Sequence, residues 1–343
     1  MNYFLYVAIG KHDYLYETIY SIRSFERAVK DSSYRIVIYT DNEEFFQKYY
    51  NENYHVEINR LPSELTRQWL EKNVFSVKIY ALKSFLAAYK SDVVFIDTDT
   101  FIYKDISTLF GYIEKDNFVM YRACTPLGQA VTILHDICKE SINAYNKTVL
   151  EFYNYLIQNK YLVCGQKSYV YSQNFIPYNS GIIGISYENA DLLDEVEHLN
   201  HFIYDTFGLY YAEEFAFATV FQRAGKIRTC NLQDKIYHYT KFYPYTRLLG
   251  GYILQYLVPD DKEQLVVLLN QYHIDLSKYD FDISEIEEFS CYVDGIVRST
   301  FSKNETERDV DNEEKIARKA YYLHSKSDQY AAIYRKYLKM ELK

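Results

Sequence analysis

Four short segments, NYFLYVA (residues 2–8), YRIVIYT (34–40), HVEI (55–58) and DVVFID (92–97), are apolar along most of their length, and helix-type spacing recurs between them. Leu15, Ile19, Ile22 and Phe25 mark one helical face; Val77, Tyr80, Ala81, Ser84, Phe85 and Ala88 mark another. Strands that are apolar on both sides and alternate with helices predict an α/β fold, a mainly parallel sheet covered on both faces. A fifth strand is expected at NFVMYRA (117–123). The pattern returns at IPYNSGIIGIS (176–186), with helices near 190–205 and 211–224 and a short strand near KIYHY. Residues 125–175 read as an excursion, mainly helical from Val131 to Lys160. Beyond about residue 249 the chain is helical and charged, so an α/β domain over 1–248 and a helical extension over 249–343 are expected.

Open parallel sheets bind ligands beyond the carboxyl ends of their strands. Gly10, Lys11 and Tyr14 follow the first strand, Thr40 and Asp41 close the second, and Asp97 and Asp99 close the fourth. The Asp-x-Asp spacing by itself carries little, since it recurs at Asp280/Asp282 and Asp309/Asp311. Those two pairs lie in polar surroundings that suit a helix start. Only VVFIDTD delivers its acids from a buried strand, where a period of two sends both carboxylates to one side. Converging carboxylates repel unless a cation neutralises them. Oxygen ligation of this kind suits Mg²⁺ or Mn²⁺ shared with substrate phosphates.

Three more stretches join the pair. Lys78 lies near the start of the helix that feeds the acidic strand, where it could reach anionic oxygens or simply face solvent. Asn179-Ser180-Gly181 is expected just before a strand, with Gly181 allowing close backbone approach to a ligand, or as an ordinary turn. His238 and Lys241 are expected in a loop after a short strand; imidazole ligates Mn²⁺-type ions, although a lone histidine is more often structural.

In this order, the strand with its Ala8 end, the lysine-bearing helix, VVFIDTDTFI, N-S-G-I-I-G-I, an acidic helix and H-x-x-K resemble the GT-A glycosyltransferases. Within them the glycogenin/galactosyltransferase-like family 8 group is most similar, over roughly residues 3–245. The resemblance implies a GT-A, Rossmann-like sheet and a divalent metal, Mn²⁺ or Mg²⁺, held by Asp97, Asp99 and His238. It implies a nucleotide-sugar donor, UDP-linked, and a glycan or lipid-linked acceptor. Ala8, Gly10, Tyr14 and Thr40 would line the nucleotide pocket and Asp97 would lie near the ribose. Lys78 and Lys241 would meet the diphosphate or sugar, and Asn179 and Ser180 would face the donor sugar. Glu213 and Glu214 would bind donor or acceptor hydroxyls. The chain departs from the family pattern at HYTKFYPY, which lacks a glycine between histidine and lysine, and at Glu213-Glu214, where Asp-Gln is usual. A retaining outcome, in which the leaving phosphate deprotonates the acceptor, is favoured; inversion would need Glu213 or Glu214 as base. A sugar-1-phosphate nucleotidylyltransferase and a non-catalytic nucleotide-sugar-binding relative are the alternatives.

Composition narrows the partners. A net charge of −9 argues against nucleic-acid binding. No apolar run approaches the roughly 18 residues of a membrane span, no signal peptide is expected, and five scattered cysteines form no Cys-x-x-Cys. A reducing cytoplasm fits that usage. From Lys315 to Lys343, eight Lys/Arg face two acids around a stripe of Ile316, Ala320, Leu323, Tyr330 and Tyr337. Such a helix can lie on an anionic membrane surface. Docking on its own domain is the favoured reading, because Ser327 interrupts the stripe.

Overall fold

The computed structural model describes residues 1–238, apart from 11, 30–32, 51–54, 103, 141–143 and 233–234. The expected boundary near 248, the helical extension and Lys241 lie outside the described residues. The chain divides into two compact units, one of residues 1–10 and 25–238, the other of residues 11–24 and 239–343. Of the second unit, the structure describes only the part of α1 that precedes Phe25.

Element order is β1 (Asn2–Ala8), α1 (His12–Ala28), β2 (Tyr34–Thr40), α2 (Glu43–Tyr50), β3 (Val56–Arg60), α3 (Ser63–Glu71), α4 (Ser76–Tyr89), β4 (Val93–Ile96), β5 (Thr100–Ile102) and β6 (Asn117–Ala123). Then follow α5 (Leu127–Glu140), α6 (Ala144–Asn159), β7 (Tyr161–Cys164), β8 (Lys167–Val170), β9 (Tyr178–Ile185), α7 (Leu192–Phe207), α8 (Ala212–Ala224), β10 (Lys226–Arg228) and β11 (Ile236–His238). Seven strands form the main sheet in the order β10-β6-β9-β4-β1-β2-β3. The mainly parallel α/β sheet expected from the apolar strands is present, flanked by helices.

Both faces are buried. On one, Leu5, Val37, Phe95, Met120 and Ile183 join a core with Leu82 and Phe85 of α4, Leu199 of α7 and Phe217 of α8. On the other, Phe4 packs edge-on against Phe25 at 4.5 Å and Phe110 at 5.3 Å. Side chains such as Phe4, Phe85 and Phe95, buried to 1% exposure or less, each contribute roughly 1.5–3 kcal/mol to this core.

One strand departs from the expected parallel order. β9 runs antiparallel to both β4 and β6. It re-enters after the 125–175 excursion, which consists of α5, α6 and a separate β7–β8 hairpin. The reversal decides the site, because it brings the start of β9 to the edge where β4 ends. Asn179-Ser180-Gly181 therefore lie within β9 and not before it; pairing of Tyr178 and Asn179 with Ala123 and Arg122 extends the strand that far.

Candidate functional site

β4 stops at Ile96, and Asp97, Thr98 and Asp99 form the turn before β5. The carboxylates thus converge through a turn and not through strand alternation. Thr100 Oγ1 donates to the Asp97 carbonyl at 2.8 Å and closes that turn, while the Asp97 N–H donates to the Gly181 carbonyl at 2.8 Å. β11 then pairs antiparallel with β5 and sets His238 opposite Thr100. His238 is accordingly the last residue of a strand, where a loop position was expected. Its Nε2 lies 2.9 Å from Asp99 Oδ1 and 3.7 Å from Asp97 Oδ2. Ligand atoms of Asp97, Asp99 and His238 all fall within 4.8 Å of one another.

A second layer of charge lies behind this triad. Lys78, in the first turn of α4, is buried; its Nζ donates at 3.0 Å to Asp97 Oδ2 and at 3.0 Å to Ser180 Oγ, and lies 3.5 Å from Glu213 Oε1. Ser180, also fully buried, donates its hydroxyl to Glu213 Oε1 at 3.1 Å. Glu213 and Glu214 occupy the first turn of α8, where the helix dipole favours carboxylates. Glu214 Oε1 accepts from Asn179 Nδ2 at 2.7 Å and from the Ser180 N–H at 3.3 Å. Glu213 Oε2 is buried with no hydrogen-bond partner.

Among the described residues, four carboxylates thus share one pocket of charge with one lysine and one histidine, and the titrations reflect the imbalance. Burial pushes Glu213 up to about 7, helped by Glu214 and Asp97 against the pull of Lys78. Burial also raises Glu214. Asp97 is raised by burial and by Asp99 despite Lys78 and His238. Burial opposes ionisation of Asp99 too, but the charge and hydrogen bond of His238 outweigh it and hold Asp99 low. His238 is raised because Asp99 overcomes the burial that would neutralise it. Burial would lower Lys78 likewise, and Asp97 and Glu213 raise it instead.

The donor set fits a divalent cation: two acidic carboxylates and an imidazole converge, with Asp97 and Asp99 side chains 20% exposed towards solvent.

The remaining expected residues are placed as follows. Ala8 and Thr40 are paired across β1 and β2 at their carboxyl ends, both fully buried. Gly10, at φ +80°, adopts a backbone that favours glycine, and its N–H donates to Asp41 Oδ2 at 3.0 Å. Tyr14 lies in α1, within the second compact unit.

Tyr121 was not anticipated. Its hydroxyl accepts from the His238 N–H at 3.4 Å and donates to the Ile236 carbonyl at 3.1 Å, and its ring meets the imidazole edge-on at 5.3 Å. A hydroxyl-bearing ring in the apolar strand NFVMYRA was the available signal. Phe75, Tyr210 and Tyr211 form an aromatic cluster beside Lys78, with 5.0 Å between each pair of rings and 5.6 Å from Lys78 Nζ to Phe75.

No protein-family model matches the chain, and no curated protein matches it. Among solved structures it is similar to galactosyltransferase LgtC in complex with donor and acceptor sugar analogs, at 10% identity over 66% of this chain and 72% of that one, with a TM-score of 0.40. It is similar to glycosyltransferase GlyE of Streptococcus pneumoniae at 10% identity over 77% and 52% of the two chains, TM-score 0.41. The bifunctional WbbM glycosyltransferase gives 12% identity over 66% and 38%, TM-score 0.40. The chain thus spans about half of GlyE and less of WbbM. Likeness at this level does not fix a reaction; the chemistry rests on the site.

Proposed function

We propose that the chain is a metal-dependent glycosyltransferase that moves a sugar from a nucleotide-sugar donor, UDP-linked, to a glycan or lipid-linked acceptor. One observation carries the reading: Asp97, Asp99 and His238 converge within 4.8 Å at the carboxyl edge of the sheet. The ordered motifs that resemble the GT-A glycosyltransferases support it.

In the proposed reaction the anomeric carbon–oxygen bond to the diphosphate breaks and a bond to the acceptor oxygen forms. The acceptor proton passes to the departing phosphate. Asp97, Asp99 and His238 would hold a divalent cation, which when bound would supply Lewis-acid stabilisation of the leaving group worth several kcal/mol. Lys78 opposes protonation of Asp97 and orients it through their 3.0 Å bond. Gly10 and the carboxyl ends of β1 and β2 lie on the side of the sheet where the nucleotide would rest, with Ala8 and Thr40 buried beneath. Glu213 is fully buried, and Glu214 is engaged by Asn179 and the Ser180 N–H. Neither offers an unengaged, exposed carboxylate as base, which supports a retaining outcome.

No helix among the described residues is long and apolar enough to cross a membrane. Incubation with a panel of nucleotide sugars and Mn²⁺ tests the reading. Slow hydrolysis of one donor, lost on chelation, is expected; no turnover of any donor, with nucleotide triphosphates consumed instead, would overturn it.

A further inference from the structure

Asn179 sits between Glu214 and His238, and its hydrogen bonds fix which way its amide points. The Gly181 N–H, which can only donate, is 3.1 Å from Asn179 Oδ1. The Glu214 carboxylate, an acceptor when ionised, is 2.7 Å from Asn179 Nδ2. A flipped amide would set N–H against N–H at one end and oxygen against oxygen at the other, so both ends agree on one orientation. Asn179 Oδ1 is then the atom 3.2 Å from His238 Nδ1, and that ring nitrogen must carry hydrogen.

The consequence falls on the other nitrogen. With Nδ1 protonated, a neutral imidazole presents its lone pair at Nε2, the atom 2.9 Å from Asp99 Oδ1 and 3.7 Å from Asp97 Oδ2. Without a metal, a proton at Nε2 makes the imidazolium and donates to Asp99; a divalent cation among the three ligands would take that proton's place. We propose that Asn179 and Glu214 are positioning residues for the metal centre: Glu214 anchors the Asn179 amide, and Asn179 holds His238 as the Nδ1–H tautomer with Nε2 presented as ligand. This rests on the metal-centre reading above and assigns Asn179 a role apart from sugar contact.

Steric fit completes the device. A Cβ built at Gly181 would lie 2.5 Å from His238 Nδ1 and nearer still to Cε1, so only glycine leaves room for the ring against β9. Tyr121 meets the ring edge-on and limits its rotation.

Mn²⁺ binding by calorimetry and ¹⁵N spectra of the imidazole in Mg²⁺-loaded protein test the relay. Second-layer partners of ligating histidines typically contribute 10–100-fold to metal affinity. Asn179→Ala is expected to weaken Mn²⁺ binding by roughly that factor and to lose the single Nδ1–H signature. Glu214→Gln keeps an oxygen that can accept from both Asn179 and the Ser180 N–H, and is expected to bind Mn²⁺ more tightly than Glu214→Ala. Glu214→Ala is expected to weaken binding, and serves as the removal variant should Asn179→Ala not fold. Wild-type affinity in the removal variant, or an Nε2-protonated His238 in Mg²⁺-loaded protein, would overturn the relay while His238→Ala remains impaired. Wild-type affinity in His238→Ala would instead overturn the metal centre itself.

Discussion

Two clusters in this molecule bury carboxylates beside cations, and they are built to opposite balances. Glu195, in α7, is 5% exposed at its side chain and meets Lys167 Nζ at 2.6 Å together with the Arg223 guanidinium. Arg223 also lies over the Tyr169 ring at 5.7 Å. One acid faces two cations that are half in water, both on its Oε2, so its charge is balanced locally and the cluster fastens the β7–β8 hairpin to α7 and α8. Glu195 Oε1, like Glu213 Oε2, has no hydrogen-bond partner. At the sheet edge, among the described residues, Asp97, Asp99, Glu213 and Glu214 outnumber Lys78 and His238. Removing charge from water is costly unless it is paired. The first cluster is a staple; the second, among the described residues, holds more acids than bases and suits a further cation.

Breaking the edge cluster at its internal cation gives the largest expected effect. Lys78→Met strands Asp97 and Glu213 and should destabilise the metal-free protein by about 3–5 kcal/mol in urea denaturation. Added Mn²⁺ should return part of that stability. Gly181→Ala comes next: the methyl displaces the imidazole, and Mn²⁺ affinity should fall roughly 10–100-fold, read by calorimetry, with the fold retained by circular dichroism.

The staple should respond differently. Glu195→Gln loses charge-assisted bonds to two partly exposed cations and should cost about 1–3 kcal/mol, while Mn²⁺ affinity stays at the wild-type value. If affinity fell with stability, the two clusters would not be separate devices.

A pH dependence tests the edge cluster from another side. Glu213 is raised from its ordinary 4.5 to about 7, so the folded state favours its proton. Its contribution to metal-free stability is present in full below the unfolded value and is lost as pH rises through about 7. Urea midpoints should therefore fall across that window in wild type and fall less in Glu213→Gln.

Much of this was legible in the chain because it depends on local pattern. VVFI announces a strand buried on both faces, and acids placed directly after it must sit at a sheet edge. What the pattern could not carry was direction and partnership. Nothing in YNSGIIGI tells whether the strand runs with or against β4, yet that reversal puts Asn179 and Gly181 beside His238. Lys78 looks like any helix lysine until burial is known, and the relation of Gly181 to His238 spans a long stretch of sequence. Tyr121 reads as one more apolar strand residue until β11 arrives beside it. These are tertiary facts, set by which edge each element meets.

The central claim is that Asp97, Asp99 and His238 hold a divalent cation that a nucleotide diphosphate shares. Calorimetry of UDP with and without Mn²⁺, on wild type and Asp99→Ala, tests it most directly. The account predicts UDP binding that requires Mn²⁺ in wild type and is abolished in Asp99→Ala; unchanged UDP binding by Asp99→Ala in the presence of Mn²⁺ would contradict it.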